Sequence, residues 1–153
     1  MMTRRKLLAC GSLMALSAIV GWSPLAAAET KGLPVMLYKA PGCECCDGYA
    51  QYLRDHGFTV TVKETEKLSA ISGNAGVPPE LQGCYTSFVG GYVIDGHVPI
   101  EAVQKLLAER PAIRGIALAN MPPGSPGMPG PKQGPFIIQA IDKEGKSSVY
   151  MAL

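Results

Sequence analysis

Three cysteines fall within four residues, Cys43-Glu44-Cys45-Cys46, and their surroundings restrict the fold more than any other feature of the chain. Ahead of them, Val35-Met36-Leu37-Tyr38-Lys39 has the pattern of a buried strand, which Pro41-Gly42 ends. Behind them, Tyr49, Ala50, Tyr52 and Leu53 recur at helical spacing, and Gly57 supplies a stop. The thiols therefore sit at a strand-to-helix turn. A helix N-terminus offers unpaired N–H groups and a positive dipole end, both of which favour thiolate over thiol. Thiolate is at once a redox nucleophile and a metal ligand, so the position serves either chemistry.

The remaining chain alternates strand and helix signals. Phe58, Val60 and Val62 alternate with threonines and predict a strand with one buried face. Residues 66–72 read as a short helix behind Thr65, and the Gly- and Pro-rich residues 73–83 as a loop. Thr86 to Val89 and Tyr92 to Ile94 flank Gly90-Gly91, a hairpin signal. Pro99 opens a helix carrying Ile100, Val103, Leu106 and Leu107, and Pro111 closes it. Residues 121–135 form a Pro/Gly-rich loop containing Met121 and Met128, and residues 136–152 read as a terminal hairpin. The order predicts an α/β fold of the thioredoxin-like, glutaredoxin type: a mixed sheet with flanking helices, plus a C-terminal β-hairpin.

The N-terminus predicts export. Arg4, Arg5 and Lys6 precede an uncharged apolar run, and Ala26-Ala27-Ala28 provides the small residues of a cleavage site before Glu29. Residues 1–28 are thus read as a signal peptide, of either the general secretory or the twin-arginine type, with one domain over 29–153 and a periplasmic destination. Gly11, Gly21 and Pro24 interrupt the run and argue against a membrane anchor, so no membrane association is expected after cleavage. Removing three of the 14 basic residues leaves 11 against 12 acidic ones, a formal charge of −1. No basic patch remains to bind nucleic acid.

Cys45 separates the chemistries open to the motif. A dithiol oxidoreductase needs Cys43 and Cys46 alone, and a third thiol between them invites wrong pairing. Soft-metal binding gains from it, because thiolates select copper(I) and bridge metal ions. Structural disulfides are the third reading, weakened because loops this local constrain little chain entropy. Zinc in a four-thiolate site is the other metal reading. In the predicted topology the third strand begins at the pole where the first ends, so Cys84 should face Cys43 and Cys46. The fourth strand returns to that pole at Asp95-Gly96-His97, making His97 a candidate ligand or ligand-supporting residue. His56 is better explained by helix termination. Residues 112–120 could bring Met121 and Met128 back to the thiols, as ligands or as cover.

At these residues the chain resembles the bacterial CopG-type copper-resistance proteins. The similar segments are 38–46, Gly76-Val77-Pro78-Pro79-Glu80-Leu81 with Cys84 and Thr86, 90–99, and 121–128. The resemblance implies a thioredoxin-like periplasmic protein of copper handling, with Cys43, Cys45, Cys46, Cys84 and His97 at the family's thiol and histidine positions. It also implies copper ions as ligands and other periplasmic copper-handling proteins as partners; four thiolates exceed what one two- or three-coordinate cuprous ion needs, so shared thiolates are expected to hold several. Glu44 departs from the glycine usual in the motif, and Tyr85 stands where the family commonly has histidine. The expected function is copper(I) binding in copper tolerance, by sequestration, transfer or redox buffering. Its rival is a thiol–disulfide oxidoreductase with Cys43 as nucleophile and Cys46 as resolving thiol.

Overall fold

In the computed structural model, residues 31–153 are described; the leader read over residues 1–28 lies outside them. Seven strands form a single mixed sheet in the order β2-β1-β3-β4-β5-β6-β7. The strands are β1 (Pro34–Lys39), β2 (Thr59–Glu64), β3 (Tyr85–Val89), β4 (Tyr92–Asp95), β5 (Gly115–Ala117), β6 (Ile137–Ile141) and β7 (Ser147–Ala152). The helices are α1 (Glu44–Asp55), α2 (Leu68–Asn74) and α3 (Ile100–Glu109), with one 3-10 turn at Pro79–Leu81. Among the described residues no helix is long and apolar enough to cross a membrane.

Side-chain alternation along the strands divides the core between the two faces of the sheet. On one face Cys46, Tyr49, Ala50 and Leu53 of α1 pack with Val103, Leu106 and Leu107 of α3, over Leu37, Tyr92, Ile94, Ile116 and Ile138. Val93, one step out of phase with Tyr92 and Ile94, points the other way, to Val77, Leu81, Ala117 and Ile141. β1 pairs parallel with β2 and antiparallel with β3, placing Lys39 opposite Tyr85. The end of β1 and the beginning of β3 therefore share one pole of the sheet. β4 runs antiparallel to β3 and finishes there as well.

Two elements differ from the sequence reading. α2 begins at Leu68 rather than at residue 66, because Thr65 Oγ1 accepts the Lys67 N–H at 3.0 Å and holds the chain in a turn first. Residues 115–117, read only as a return path, form β5, parallel to β4 and antiparallel to β6. The terminal hairpin is consequently part of the main sheet rather than an appendage. A three-residue strand, Gly-Ile-Ala, carries almost no pattern of its own. Gly115 is needed for it, since a Cβ there would collide with the Val93 carbonyl on the neighbouring strand.

Candidate metal centre

Cys43 is the N-cap of α1, so the three motif cysteines occupy the cap and first turn of that helix. Glu44, the first helical residue, is exposed to solvent. Cys84 enters from the turn before β3. Its carbonyl accepts the Ala40 N–H at 3.2 Å, which ties it to the end of β1 just ahead of the motif. The four Sγ atoms lie within 4.8 Å of one another, a grouping able to hold a metal ion. Cys43 and Cys46 are joined by a disulfide, while Cys45 and Cys84 are free thiols. Cys84 Sγ lies 3.2 Å from Cys46 Sγ and 3.6 Å from Cys45 Sγ, and Cys45 is 3.4 Å from Cys43. Reducing the disulfide takes two electrons and two protons and leaves four free cysteine sulfurs, each able to bind a metal ion once its proton is displaced.

The two turns are held by different means. At the motif, Lys39 is buried at the end of β1, and its ammonium donates to Asp47 at 2.6 Å and to the Cys43 carbonyl at 3.4 Å. Glu64 at 3.2 Å completes its ion pairs. The hydrogen bond to Asp47, opposed by burial and helped by Glu64, holds the lysine above its ordinary pKa. At the other turn, fully buried Asp95 accepts the Gly83 N–H at 2.6 Å and the Thr86 hydroxyl at 2.7 Å, bracketing Cys84 and Tyr85. Burial pushes the Asp95 carboxyl up to about 6, against those two donors. Burial, then the neighbouring Cys45 thiol, push Cys84 up to about 12. A free Cys84 is therefore a protonated thiol at neutral pH, and a metal ion would have to displace that proton.

His97 lies outside the four-sulfur grouping and is fully buried. Its ring meets Tyr49 and Tyr85 edge-on at 5.6 and 5.2 Å. Nδ1 lies 2.6 Å from the Pro126 carbonyl, which can only accept, so Nδ1 carries the proton. Nε2 is left with a free lone pair and no hydrogen-bond partner, and burial lowers the pKa of the ring. Tyr85 does not offer its phenol to the thiols: its hydroxyl donates to the Gly96 carbonyl and its ring stacks on Tyr49 at 4.8 Å. His56 caps α1 at the far end, with Nδ1 2.7 Å from the Tyr52 carbonyl.

The loop over residues 121–135 reaches both turns. Met121 Sδ is 3.3 Å from Cys84 Sγ. Gly127 rests on α1, where a Cβ would lie 2.8 Å from the Tyr49 nitrogen and 3.0 Å from the Cys45 carbonyl; its φ of +82° also excludes most side chains. Sequence reasoning passed over Lys39, Tyr49 and Asp95. A lysine and an aspartate at the ends of otherwise buried strands were the available signals, since such charges persist only when paired.

The fold and site together define a mixed α/β protein with a four-cysteine centre assembled from two separate turns. Residues 81–128 match the model of a family described as "Protein of unknown function, DUF411". Two solved structures are similar, "Copper resistance protein copG- Form 1" and "Form 2", each at 31% identity and a TM-score of 0.74. Each match covers 80% of this chain, and 98% and 99% of the respective relative. No curated protein matches significantly. The chain belongs to the family of the CopG copper-resistance proteins.

Proposed function

We propose that this is an exported, periplasmic copper(I)-binding protein acting in copper tolerance, through sequestration, transfer or redox buffering. Its core is of the thioredoxin type, with the motif at the first strand-to-helix turn. The observation that carries the reading is the convergence of four cysteine sulfurs within 4.8 Å, in a chain belonging to the copper-resistance family. Soft thiolates favour copper(I) over harder ions. Four exceed what one two- or three-coordinate cuprous ion takes, which supports shared thiolates and more than one copper. The unpartnered Nε2 of His97 supports a further donor, because a buried lone pair otherwise costs about 1–3 kcal/mol. The Pro126 carbonyl on Nδ1 fixes the tautomer that a ligand histidine needs. Copper ions are the cargo, and other periplasmic copper-handling proteins are the partners of transfer.

Anaerobic titration of the reduced 29–153 chain with copper(I), in parallel with zinc, tests this. Copper(I) should bind with more than one ion per chain and displace zinc; zinc-only binding would overturn the reading. Export is tested separately, by fractionation and the N-terminal mass: a periplasmic chain beginning at Glu29 is expected.

The disulfide between Cys43 and Cys46 favours a second reading, thiol–disulfide exchange. Cys43 would attack a substrate disulfide and Cys46 would resolve the mixed disulfide, releasing two substrate thiols and forming the Cys43–Cys46 bond. Turnover of disulfide substrates by the copper-free protein is the corresponding measurement.

A further inference from the structure

The Cys43–Cys46 bond leaves a second pair of sulfurs poised beside it. Cys45 and Cys84 are the two free thiols among the described residues, and their Sγ atoms touch at 3.6 Å. A disulfide bond is about 2.0 Å long, so joining them takes an approach of about 1.6 Å, which rotation of the two side chains supplies. Neither backbone has to move to bring them together. The Cys84 carbonyl accepts the Ala40 N–H at 3.2 Å, and Asp95 holds Gly83 and Thr86 on either side. Cys45 rides on the first turn of α1, within the short step that Cys43–Cys46 already closes. With Cys43 and Cys46 bonded, each free thiol has the other as its neighbouring thiol. Both are half-buried rather than sealed, so a reagent can reach them.

We infer that Cys45 and Cys84 form a second disulfide when the metal-free chain meets a low-molecular-weight disulfide. The centre then passes through two two-electron steps and, fully oxidised, is closed to metal. The consequence for copper rests on the copper-binding reading above; the bond itself does not. One of the two thiols attacks a sulfur of the external disulfide, making a mixed disulfide and expelling one external thiolate. The other then attacks the Sγ of the bonded cysteine, forms Cys45–Cys84 and expels the second external thiolate. The pair gives up two electrons and two protons, which leave on the two external thiols. The two protein disulfides differ in what they constrain. Cys43 and Cys46 are three residues apart, so their bond removes little chain entropy, whereas Cys45 and Cys84 are 39 apart and fasten the two turns to each other. Four electrons must be returned before all four sulfurs can hold an ion.

The test incubates the fully reduced, metal-free 29–153 chain with rising concentrations of oxidised glutathione, then quenches with acid and alkylates the remaining thiols. Alkylatable cysteines should fall from four to two and then to none, with Cys45 and Cys84 the two labelled at the intermediate stage. Trypsin cuts after Lys39, Arg54, Lys67 and Lys105, leaving the motif cysteines in residues 40–54 and Cys84 in residues 68–105. The end product should contain these two peptides joined. Cys45→Ala should lose the joined peptide, and a chain carrying both Cys43→Ser and Cys46→Ser should keep it. The urea midpoint should rise at the second step and hardly move at the first. The two-disulfide form should take up no copper(I), and reduction should restore loading. Cys84 that stays alkylatable in large excess of oxidised glutathione, ends as a stable glutathione adduct, or is joined to residues 40–54 in Cys45→Ala overturns the second disulfide. A reduced chain that takes up no copper(I) overturns the copper-binding reading alone. The peptide map of the unaltered chain decides even if a variant folds poorly.

Discussion

The motif turn and the Cys84 turn deliver sulfur to the same point, but they are built from opposite directions. The motif turn is local: three thiols ride on the cap and first turn of α1, steadied by Lys39, whose carboxylate partners Asp47 and Glu64 are themselves 58% and 56% exposed. The Cys84 turn carries one thiol and is gripped from inside, by a fully buried Asp95 on the adjacent strand. A local turn tolerates the loss of its solvent-facing charges. An internally clamped turn depends on a few groups with no water to replace them.

The largest effects should come from the thiols, and they test whether the two turns are equal partners. Cys84→Ser should lower copper affinity or stoichiometry as severely as Cys46→Ser, by at least about tenfold in chelator competition. A Cys84→Ser protein that binds copper normally would reduce the second turn to packing. Cys45→Ala should also damage copper loading while disulfide reduction stays low. Robust reductase activity, with copper binding indifferent to Cys45, would rank thiol–disulfide exchange above copper binding.

Next in size is the clamp. Asp95→Ala leaves the Gly83 N–H without an acceptor and takes one of two hydroxyl partners from Thr86, and should cost ~2 kcal/mol in urea unfolding. Asp95→Asn should recover most of this. Its carbonyl can accept from Gly83 and its amide can donate to Thr86, which can turn its own proton to Ser72, 2.5 Å away. A clamp that acts through charge rather than hydrogen bonding would leave both variants equally unstable.

The same aspartate sets a pH dependence. Its pKa rises from 3.8 to about 6 on folding, so the folded chain holds the proton more firmly. Its contribution to stability is therefore present at low pH and lost as pH rises from about 4 through about 6, an effect on the order of 3 kcal/mol. Urea midpoints of the reduced, metal-free protein should register this slope, and Asp95→Asn should flatten it. The smallest effect is expected at the motif turn: Lys39→Met removes a buried charge along with its ion pairs and should change stability by less than ~1 kcal/mol. A large loss there would show that the motif turn, too, is held from inside.

The contrast between the turns also explains what could be read in advance. Strand periodicity, Gly57, Gly90-Gly91, Pro99 and Pro111 are local signals, and β1, α1, the β3–β4 hairpin and α3 lie where they point. The placement of Cys84 opposite the motif followed from strand direction alone. β5 was missed because its pairing is made by Val93 and Ile141 on other strands, not by any pattern within Gly115-Ile116-Ala117. The start of α2 was misjudged because the side chain of Thr65 competes with the helix for the Lys67 N–H.

By itself the sequence determined that three thiols would crowd a helix N-terminus, since a strand pattern, a Pro-Gly stop and a helical repeat surround them within about 20 residues. Strand direction added Cys84 to them, and only the tertiary structure decided the contacts beyond that. It set Met121 against Cys84 and left His97 with its proton on Nδ1 and a bare Nε2. It also settled that Tyr85 spends its hydroxyl on Gly96. Those outcomes depend on strand register, on the left-handed Asn120 and Met121 and on a buried carboxylate. These are contacts between segments far apart in the chain, where sub-ångström distance selects the partner and no local pattern records it.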